Sequence, residues 1–118
     1  MSEPGLRIEV DVDPDEVTPE TIDLATIRGA VTNLGDETIE THVRMSELRV
    51  NGEPLPSWSL AIGNGALDER ESALPPGERL EFSRIVGSSL FRGPGEYEVV
   101  LSLLGVESAP ARVTLNVL

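Results

Sequence analysis

Apolar and polar residues alternate along several short stretches of this chain, and turn-forming residues separate the stretches. The first stretch places Leu6, Ile8, Val10 and Val12 on one side and charged residues on the other, as in a strand with one buried face. Short strands at this spacing, without a long helix, favour an all-β, immunoglobulin-like Greek-key β-sandwich of about seven antiparallel strands. The further strands are predicted over about 22–32, 39–50, 54–62, 80–84, 97–103 and 113–117.

Glycine and proline positions refine these predicted strands. Gly29 predicts a bulge or a close approach of another group to the backbone. The apolar residues occupy odd positions just before Ser46 and even positions after it, which predicts a break in the third strand. Asn51 and Gly52 form a strong hairpin signal. Prolines follow at positions 54 and 56, and because they lack an amide donor, we expect their strand at a sheet edge.

Two aromatic residues have predicted places in this sandwich. Trp58 shares its parity with Leu60 and Ile62, so we expect it in the core, although an exposed indole would instead suit a sugar-stacking platform or an interface anchor. Tyr97 opens the sixth strand after a glycine-rich turn, where this fold often has a tyrosine corner. In the sequence between Trp58 and Tyr97, residues 66–73 contain good helix formers, which predict one or two helical turns.

The composition limits the possible function classes. With 118 residues, 39% of them hydrophobic, the chain is long enough for a core, and we expect residues 1–118 to form one domain, with residues 1–5 flexible. The lack of cysteine excludes disulfides and thiol chemistry. A single histidine, His42, is predicted on a solvated strand face and offers no imidazole pair for zinc. No Gly-x-Ser-x-Gly elbow surrounds a serine, so we expect no catalytic site.

The formal net charge of −12 argues against nucleic acid and membrane partners, since both need a basic surface. All nine basic residues are arginine, which fits either a GC-rich genome or a high-salt habitat, where salt screens the repulsion between surface acids. Residues 1–5 show neither the basic nor the apolar region of a secretory signal. We therefore expect a cytoplasmic protein. As a separate expectation, the chain is either a monomer or a weak homodimer.

Acidic residues crowd the connection after the first predicted strand. Asp13, Asp15, Glu16 and Glu20 would supply the hard oxygen ligands that calcium prefers. The spacing does not fit an EF-hand, because Glu16 and Ile22 stand where that loop needs a glycine and a bidentate glutamate. The segment is therefore either a loose calcium site or an acidic, soluble turn, and no other cofactor is predicted.

Residues 26–35, 74–78 and 95–99 carry a resemblance to known modules. They read TIRGAVTNLG, LPPGE and GEYEV, and they resemble bacterial immunoglobulin-like and fibronectin-like β-sandwich modules. The order of turns and aromatic residues is also similar to the Bacillus intracellular proteinase inhibitor family. The resemblance implies a β-sandwich fold and, for the second family, inhibition of an intracellular protease. It transfers no functional residue, because the shared positions are turn and corner residues.

The predicted fold presents its loops at two ends, which suits a non-catalytic protein-interaction module. Two loops, at 63–73 and 87–94, are longer than hairpin turns and mix glycine with an apolar anchor. An accessory domain of a larger enzyme is an alternative, and so is the reading that the charged loop residues are merely solvated. The candidate contact residues for a protein partner of unknown identity are Asp68, Glu69, Arg70, Leu90, Phe91 and Arg92.

Overall fold

The computed structural model describes residues 5–63 and 73–116 of the chain. Within these residues it contains nine strands, one short α-helix and three 3-10 turns. The 3-10 turns span Ile22–Leu24, Val43–Met45 and Gly87–Leu90. The strands and the helix are β1 (Leu6–Asp13), β2 (Glu16–Val17), β3 (Thr26–Asn33), β4 (Glu47–Val50), β5 (Glu53–Pro54), α1 (Pro56–Gly63), β6 (Arg79–Ile85), β7 (Gly95–Leu103), β8 (Val106–Glu107) and β9 (Ala111–Leu115).

The strands form two sheets, which confirms the predicted immunoglobulin-like β-sandwich. One sheet has the order β1-β3-β6, and the other has the order β2-β9-β7-β4-β5, with β8 paired to β7. The pairs are antiparallel except for β2 with β9, which is parallel. Three of the nine described strands, β2, β5 and β8, have only two residues. Strands this short leave no period-two pattern in the sequence. The prediction of seven strands therefore missed β2 and β8, and it included β5 only through Pro54.

The core lies between the two sheets and consists mainly of aliphatic side chains. Strand β7 occupies the centre of its sheet, and Val99, Leu101 and Leu103 point inward from it. Trp58 has no exposed surface and lies 6.3 Å from the ring of Phe82, measured between ring centroids. The predicted core position of Trp58 is therefore confirmed.

Gly29 allows Phe82 to lie close against the backbone of β3. A Cβ atom at position 29 would lie 2.5 Å and 2.8 Å from two ring atoms of Phe82 and 2.9 Å from a methyl group of Leu101. These separations are shorter than van der Waals contact, so no side chain fits here without movement of its neighbours. The close approach predicted from the sequence is confirmed.

The prediction of a strand over 54–62 is wrong, because α1 occupies Pro56–Gly63. Trp58 and Ile62 are buried and stand four residues apart on one helical face, whereas Leu60 is 68% exposed. Proline suits the first turn of a helix, where its missing amide donor costs nothing. Only Pro54 lies in a strand, the two-residue edge strand β5, so the edge position predicted from the prolines holds there. Among the described residues, no helix has the length and apolar character needed to cross a membrane.

The predicted third strand over 39–50 is interrupted, as its change of apolar parity indicated. Ile39 makes an isolated bridge with Leu74, a 3-10 turn covers Val43–Met45, and only Glu47–Val50 forms a strand. The predicted strand position of His42 is wrong, because its backbone adopts the left-handed conformation at a φ of 54°. Its side chain is exposed, and Nε2 lies 3.8 Å from a carboxylate oxygen of Glu40.

Two polar contacts hold α1 between the sheets. The indole N–H of Trp58 donates a 3.0 Å hydrogen bond to the buried hydroxyl of Ser46, just before β4. The guanidinium of Arg84, on β6, donates from Nε to the carbonyl of Ala61 at 3.2 Å. An arginine beside the last carbonyls of a helix satisfies groups that have no partner within the helix. The helix is thus attached to the segment just before β4 of one sheet and to β6 of the other.

Candidate functional site

Tyr97 closes the loop between β6 and β7 with its side chain. Its hydroxyl donates to the carbonyl of Gly93 at 2.5 Å and accepts from the backbone N–H of Arg92 at 3.0 Å. A tyrosine that bonds to the backbone a few residues upstream is the corner predicted from the sequence. Because both bonds go to main-chain groups, they fix the path of the loop and the point from which the Arg92 side chain projects.

The part of this loop before Arg92 is anchored by apolar side chains. The 3-10 turn Gly87–Leu90 places Leu90 in the core, with 2% of its surface exposed. Phe91 is half-buried and packs edge-on against Tyr97, with ring centroids 5.2 Å apart and planes at 84°. This edge-to-face arrangement is favourable for aromatic pairs. The loop is therefore held at three successive points, and it presents the exposed side of Phe91 and the side chain of Arg92 to solvent.

The β4–β5 hairpin and the start of α1 lie opposite the loop. Asn51 and Gly52 have φ values of 51° and 85°, the left-handed conformations that a two-residue hairpin turn requires. The turn is tied to β7, because Asn51 donates its backbone N–H to Glu98 O at 2.8 Å and accepts the Glu98 N–H on Oδ1 at 2.9 Å. Leu55 is half-buried and donates to Leu48 O at 2.8 Å, just before Pro56 begins the helix.

Between these two walls runs a groove of about 450 Å³ at one end of the sandwich, which we call the end groove. Two polar contacts join its walls. The hydroxyls of Ser57 and Ser89 are 2.8 Å apart, and Nη2 of Arg92 lies 3.3 Å from Oε2 of Glu53. The groove is lined by Val50, Asn51, Glu53, Pro54, Leu55, Pro56, Ser57, Ser89, Leu90, Arg92 and Tyr97.

The ion pair between Arg92 and Glu53 is a surface contact that a partner could replace. The two side chains are 84% and 66% exposed, respectively. Exposed pairs of this kind contribute little to stability because water and salt screen them. Arg92 can therefore exchange its contact with Glu53 for an acceptor on another molecule.

The structure brings together only part of the contact set predicted from the sequence. Leu90 and Arg92 line the end groove, and Phe91 lies beside it against Tyr97. Leu90 is buried in the core, so it supports the loop and is not on the surface of the free protein. The other predicted contact residues, Asp68, Glu69 and Arg70, and most of the helix predicted over 66–73, lie outside the described residues.

The predicted calcium ligands are spread along the connection from β1 to β3. Glu16 belongs to β2, pairs with Thr114 of β9, and accepts a 2.5 Å hydrogen bond from Asn116 Nδ2. Asp13 ends β1 in the opposite sheet, whereas Asp15 and Glu20 lie in the connecting segments. In residues 5–63 and 73–116, no three His, Cys, Asp or Glu side chains are grouped so that they could hold a metal ion. Calcium binding by Asp13, Asp15, Glu16 and Glu20 therefore stays a prediction from the sequence.

A second hollow, of about 430 Å³, lies on the outer face of the three-stranded sheet. Ion pairs cross this face: Arg79 Nη1 lies 2.7 Å from Glu9 and Nε lies 3.2 Å from Glu81, while Arg28 pairs with Asp11. The hydrogen bond and then the charge of Asp11 raise the pKa of the Arg28 guanidinium above its usual value. These groups satisfy one another across the strands, so the end groove is the better candidate site.

One wall of the end groove was missed because α1 was predicted as a strand. Glu53, Pro54, Pro56 and Ser57 all lie on that wall. Two signals in the sequence point to the helix: a proline suited to the first helical position, and the four-residue spacing of Trp58 and Ile62. The contact of Glu53 with Arg92 has no sequence signal, because it depends on how two distant segments pack.

Comparisons with known proteins place the fold but not the function. No protein-family model and no curated protein sequence matches the chain, so the resemblance to the proteinase inhibitor family gains no support. A solved structure of the Pseudomonas fluorescens alkylpurine DNA glycosylase AlkC, bound to DNA containing an abasic site analog, matches with a TM-score of 0.56 at 12% identity. The match covers 98% of this chain and 31% of the glycosylase chain, so this chain spans about a third of that protein.

A second solved structure is the CARDB domain of the PF1109 protein from Pyrococcus furiosus, in complex with di-metal ions. It matches 100% of this chain and 99% of that domain, with a TM-score of 0.47 at 19% identity. At its identity, the glycosylase match shows the β-sandwich fold alone. The two-sheet topology, together with the glycosylase match, gives the fold as a β-sandwich of the immunoglobulin-like type.

Proposed function

We propose that this chain is a non-catalytic protein-interaction module that binds its partner in the end groove. The observation that carries the proposal is the fixed presentation of Phe91 and Arg92 beside a groove of about 450 Å³. Aromatic and arginine side chains are the residues most often found at the energetic centres of protein interfaces. In this account, Phe91 and Arg92 are the contact residues and Tyr97 is a positioning residue.

Preorganisation of the groove supports the proposal. The loop carrying Phe91 and Arg92 is fixed by Leu90 in the core and by the two hydrogen bonds of Tyr97. The opposite wall is fixed by the bonds between Asn51 and Glu98. A site whose walls are already ordered loses less conformational entropy on binding. The exposed ion pair of Arg92 with Glu53 can then open, so that Arg92 bonds to an acceptor on the partner.

Site-directed photo-crosslinking tests the proposal even though the partner is unidentified. A photoreactive amino acid replaces Pro54, which lies exposed on the groove wall and leaves the tyrosine corner unchanged. A matched variant carries it in place of Glu81, on the outer face of the three-stranded sheet. Both proteins are irradiated in lysate of the native organism and the adducts are identified by mass spectrometry.

The proposal predicts an adduct from position 54 that is absent from position 81. Excess unlabelled wild-type protein should remove the adduct, whereas excess protein with both Phe91→Ala and Arg92→Ala should not. Competition by the double variant as efficient as by the wild-type protein would contradict a groove interface. So would equal adducts from both positions.

A further inference from the structure

Strand β1 is an edge strand of the three-stranded sheet in the described part of the chain. It pairs with β3 from Leu6 to Asp13, and among the described residues no strand pairs with its other side. A sheet edge of this kind presents unpaired N–H and C=O groups to which another extended chain can bond.

The pairing register identifies the free groups. The Leu34 N–H donates to Gly5 O at 2.8 Å, which extends the β1–β3 register by one hydrogen-bonded pair. Bonded and non-bonded pairs alternate in an antiparallel ladder, so the odd-numbered residues of β1 bond to β3. The backbone groups that point away from β3 therefore belong to Leu6, Ile8, Val10 and Val12, and in the described part of the chain these groups have no hydrogen-bond partner.

The other sheet edges are short or covered. In the second sheet, β2 and β5 are the edge strands, and each has only two residues. The edge of β6 carries a contact with α1, through the bond from Arg84 to Ala61. Such features limit pairing with other chains. In contrast, β1 has eight residues without a proline, so it offers the long edge among the described strands.

The charges beside this edge select the partner. One base and three acids, Arg7, Glu9, Asp11 and Asp13, alternate along the outer face of β1. Glu9 and Asp11 already pair with Arg79 and Arg28, but these contacts are about half exposed, and exposed ion pairs contribute little to stability. Cross-strand neighbours on one face lie close enough to attract or repel, so an added strand with basic side chains can exchange these contacts and also approach Asp13. Two copies of β1 paired over the whole strand would put Glu9 beside Glu9 or Asp11 of the other copy, and the net charge of −12 adds long-range repulsion.

The apolar side of the edge completes the pattern. Leu6 and Val10 point to the core face but remain partly exposed at the edge. A partner strand with apolar residues on that face would cover them and extend the core. From these observations we infer that β1 is a second binding site, which takes up an antiparallel strand with alternating apolar and basic residues from a cationic protein. This site is separate from the end groove and does not depend on the proposed function.

A synthetic octapeptide of alternating valine and lysine is the probe, used where the peptide alone is monomeric. We expect it to bind in calorimetry, with affinity falling as salt increases, and a matched valine and glutamate peptide not to bind. Peptide binding should slow amide hydrogen exchange at Ile8 and Val10 while exchange at Arg92 stays unchanged. That pattern separates the β1 edge from the end groove.

N-methylated peptides separate strand pairing from simple charge attraction. Methylation of the valine amides, which face β1 in an antiparallel pair, should weaken binding by about tenfold or more. Methylation of the lysine amides, which face solvent, should leave binding unchanged. Equal effects of the two methylation patterns, no binding of the parent peptide, or sedimentation showing that the protein dimerises through β1 would overturn the inference.

Discussion

The indole N–H of Trp58 and the hydroxyl of Ser46 form a 3.0 Å hydrogen bond inside the core. Both residues are almost fully buried, so removing the acceptor would leave the indole N–H without a partner. An unsatisfied buried donor costs about 1–3 kcal/mol. We predict that Ser46→Ala lowers the free energy of unfolding by that amount, as measured by urea denaturation.

The matched control is Ser59→Ala, at an exposed position in α1. Surface substitutions of this kind change the free energy of unfolding by less than about 0.5 kcal/mol. If Ser46→Ala is as neutral as Ser59→Ala, the indole does not depend on this hydroxyl.

The close contact between Gly29 and the ring of Phe82 leads to a second prediction about stability. The Cβ of an alanine at position 29 would lie 2.5 Å from the Phe82 ring, and overpacking of this kind costs about 1–3 kcal/mol. We expect Gly29→Ala to be destabilising, and Gly5→Ala, where nothing lies within 4 Å of the added atom, to be close to neutral. Phe82→Leu removes the clashing ring atoms, so its combination with Gly29→Ala should cost less than the sum of the two single changes. Strict additivity in urea denaturation would refute this account.

Among the polar side chains considered, we expect substitution of Asn33 to lower the free energy of unfolding the most. Its side chain is buried and donates to Glu37 O at 2.7 Å and Leu74 O at 2.9 Å, while Oδ1 accepts the Gly35 N–H at 2.9 Å. Asn33→Ala removes all three bonds, and we expect it to lower the free energy of unfolding by about 3 kcal/mol. Asn33→Asp keeps the acceptor but loses both donors, so calorimetric melting should place it well below the wild type. A melting temperature for Asn33→Asp equal to the wild type would show that the two donated bonds are unimportant.

Removal of the Tyr97 hydroxyl should loosen the loop at the end groove. Tyr97→Phe removes the bonds to Gly93 and Arg92 but keeps the aromatic contact with Phe91. The loss of stability should be modest, about 0.5–1.5 kcal/mol. Amide hydrogen exchange at Arg92 should become faster than the loss of global stability explains. Exchange in the centre of β7 should change only by the amount that the global stability changes. Unchanged exchange at Arg92 would mean that the tyrosine does not hold the loop.

Most of the sheet framework could be predicted from the sequence because the relevant side chains alternate. In β1 and β7, inward residues such as Ile8, Val12, Val99 and Leu101 are buried, and charged neighbours point outward. The two-residue strands β2 and β8 could not be predicted, since their pairing is set by neighbouring elements, whereas the hairpin signal of Asn51 and Gly52 indicated the chain reversal into β5. The spacing of Trp58, Leu60 and Ile62 fits a strand and a helix alike, and only packing against the sheets selects the helix.

The candidate site was predictable on one side only. The loop with Phe91 and Arg92 was predicted as a contact loop because it is longer than a hairpin turn and mixes glycine with an apolar anchor. The wall with Glu53 depends on α1 and on a contact between segments far apart in the sequence, which no local pattern encodes. The free edge of β1 likewise follows from the sheet order, which local alternation does not specify.

The central claim, that the end groove is the interface, is tested most directly by the affinity of the crosslinked partner once it is purified. We predict that Phe91→Ala and Arg92→Ala each raise its Kd by about tenfold or more, as expected for central interface residues. Arg112→Ala, on the outer face of the six-stranded sheet, serves as the charge-matched control and should leave the Kd unchanged. Equal Kd values for Arg92→Ala, Arg112→Ala and the wild-type protein would contradict the account.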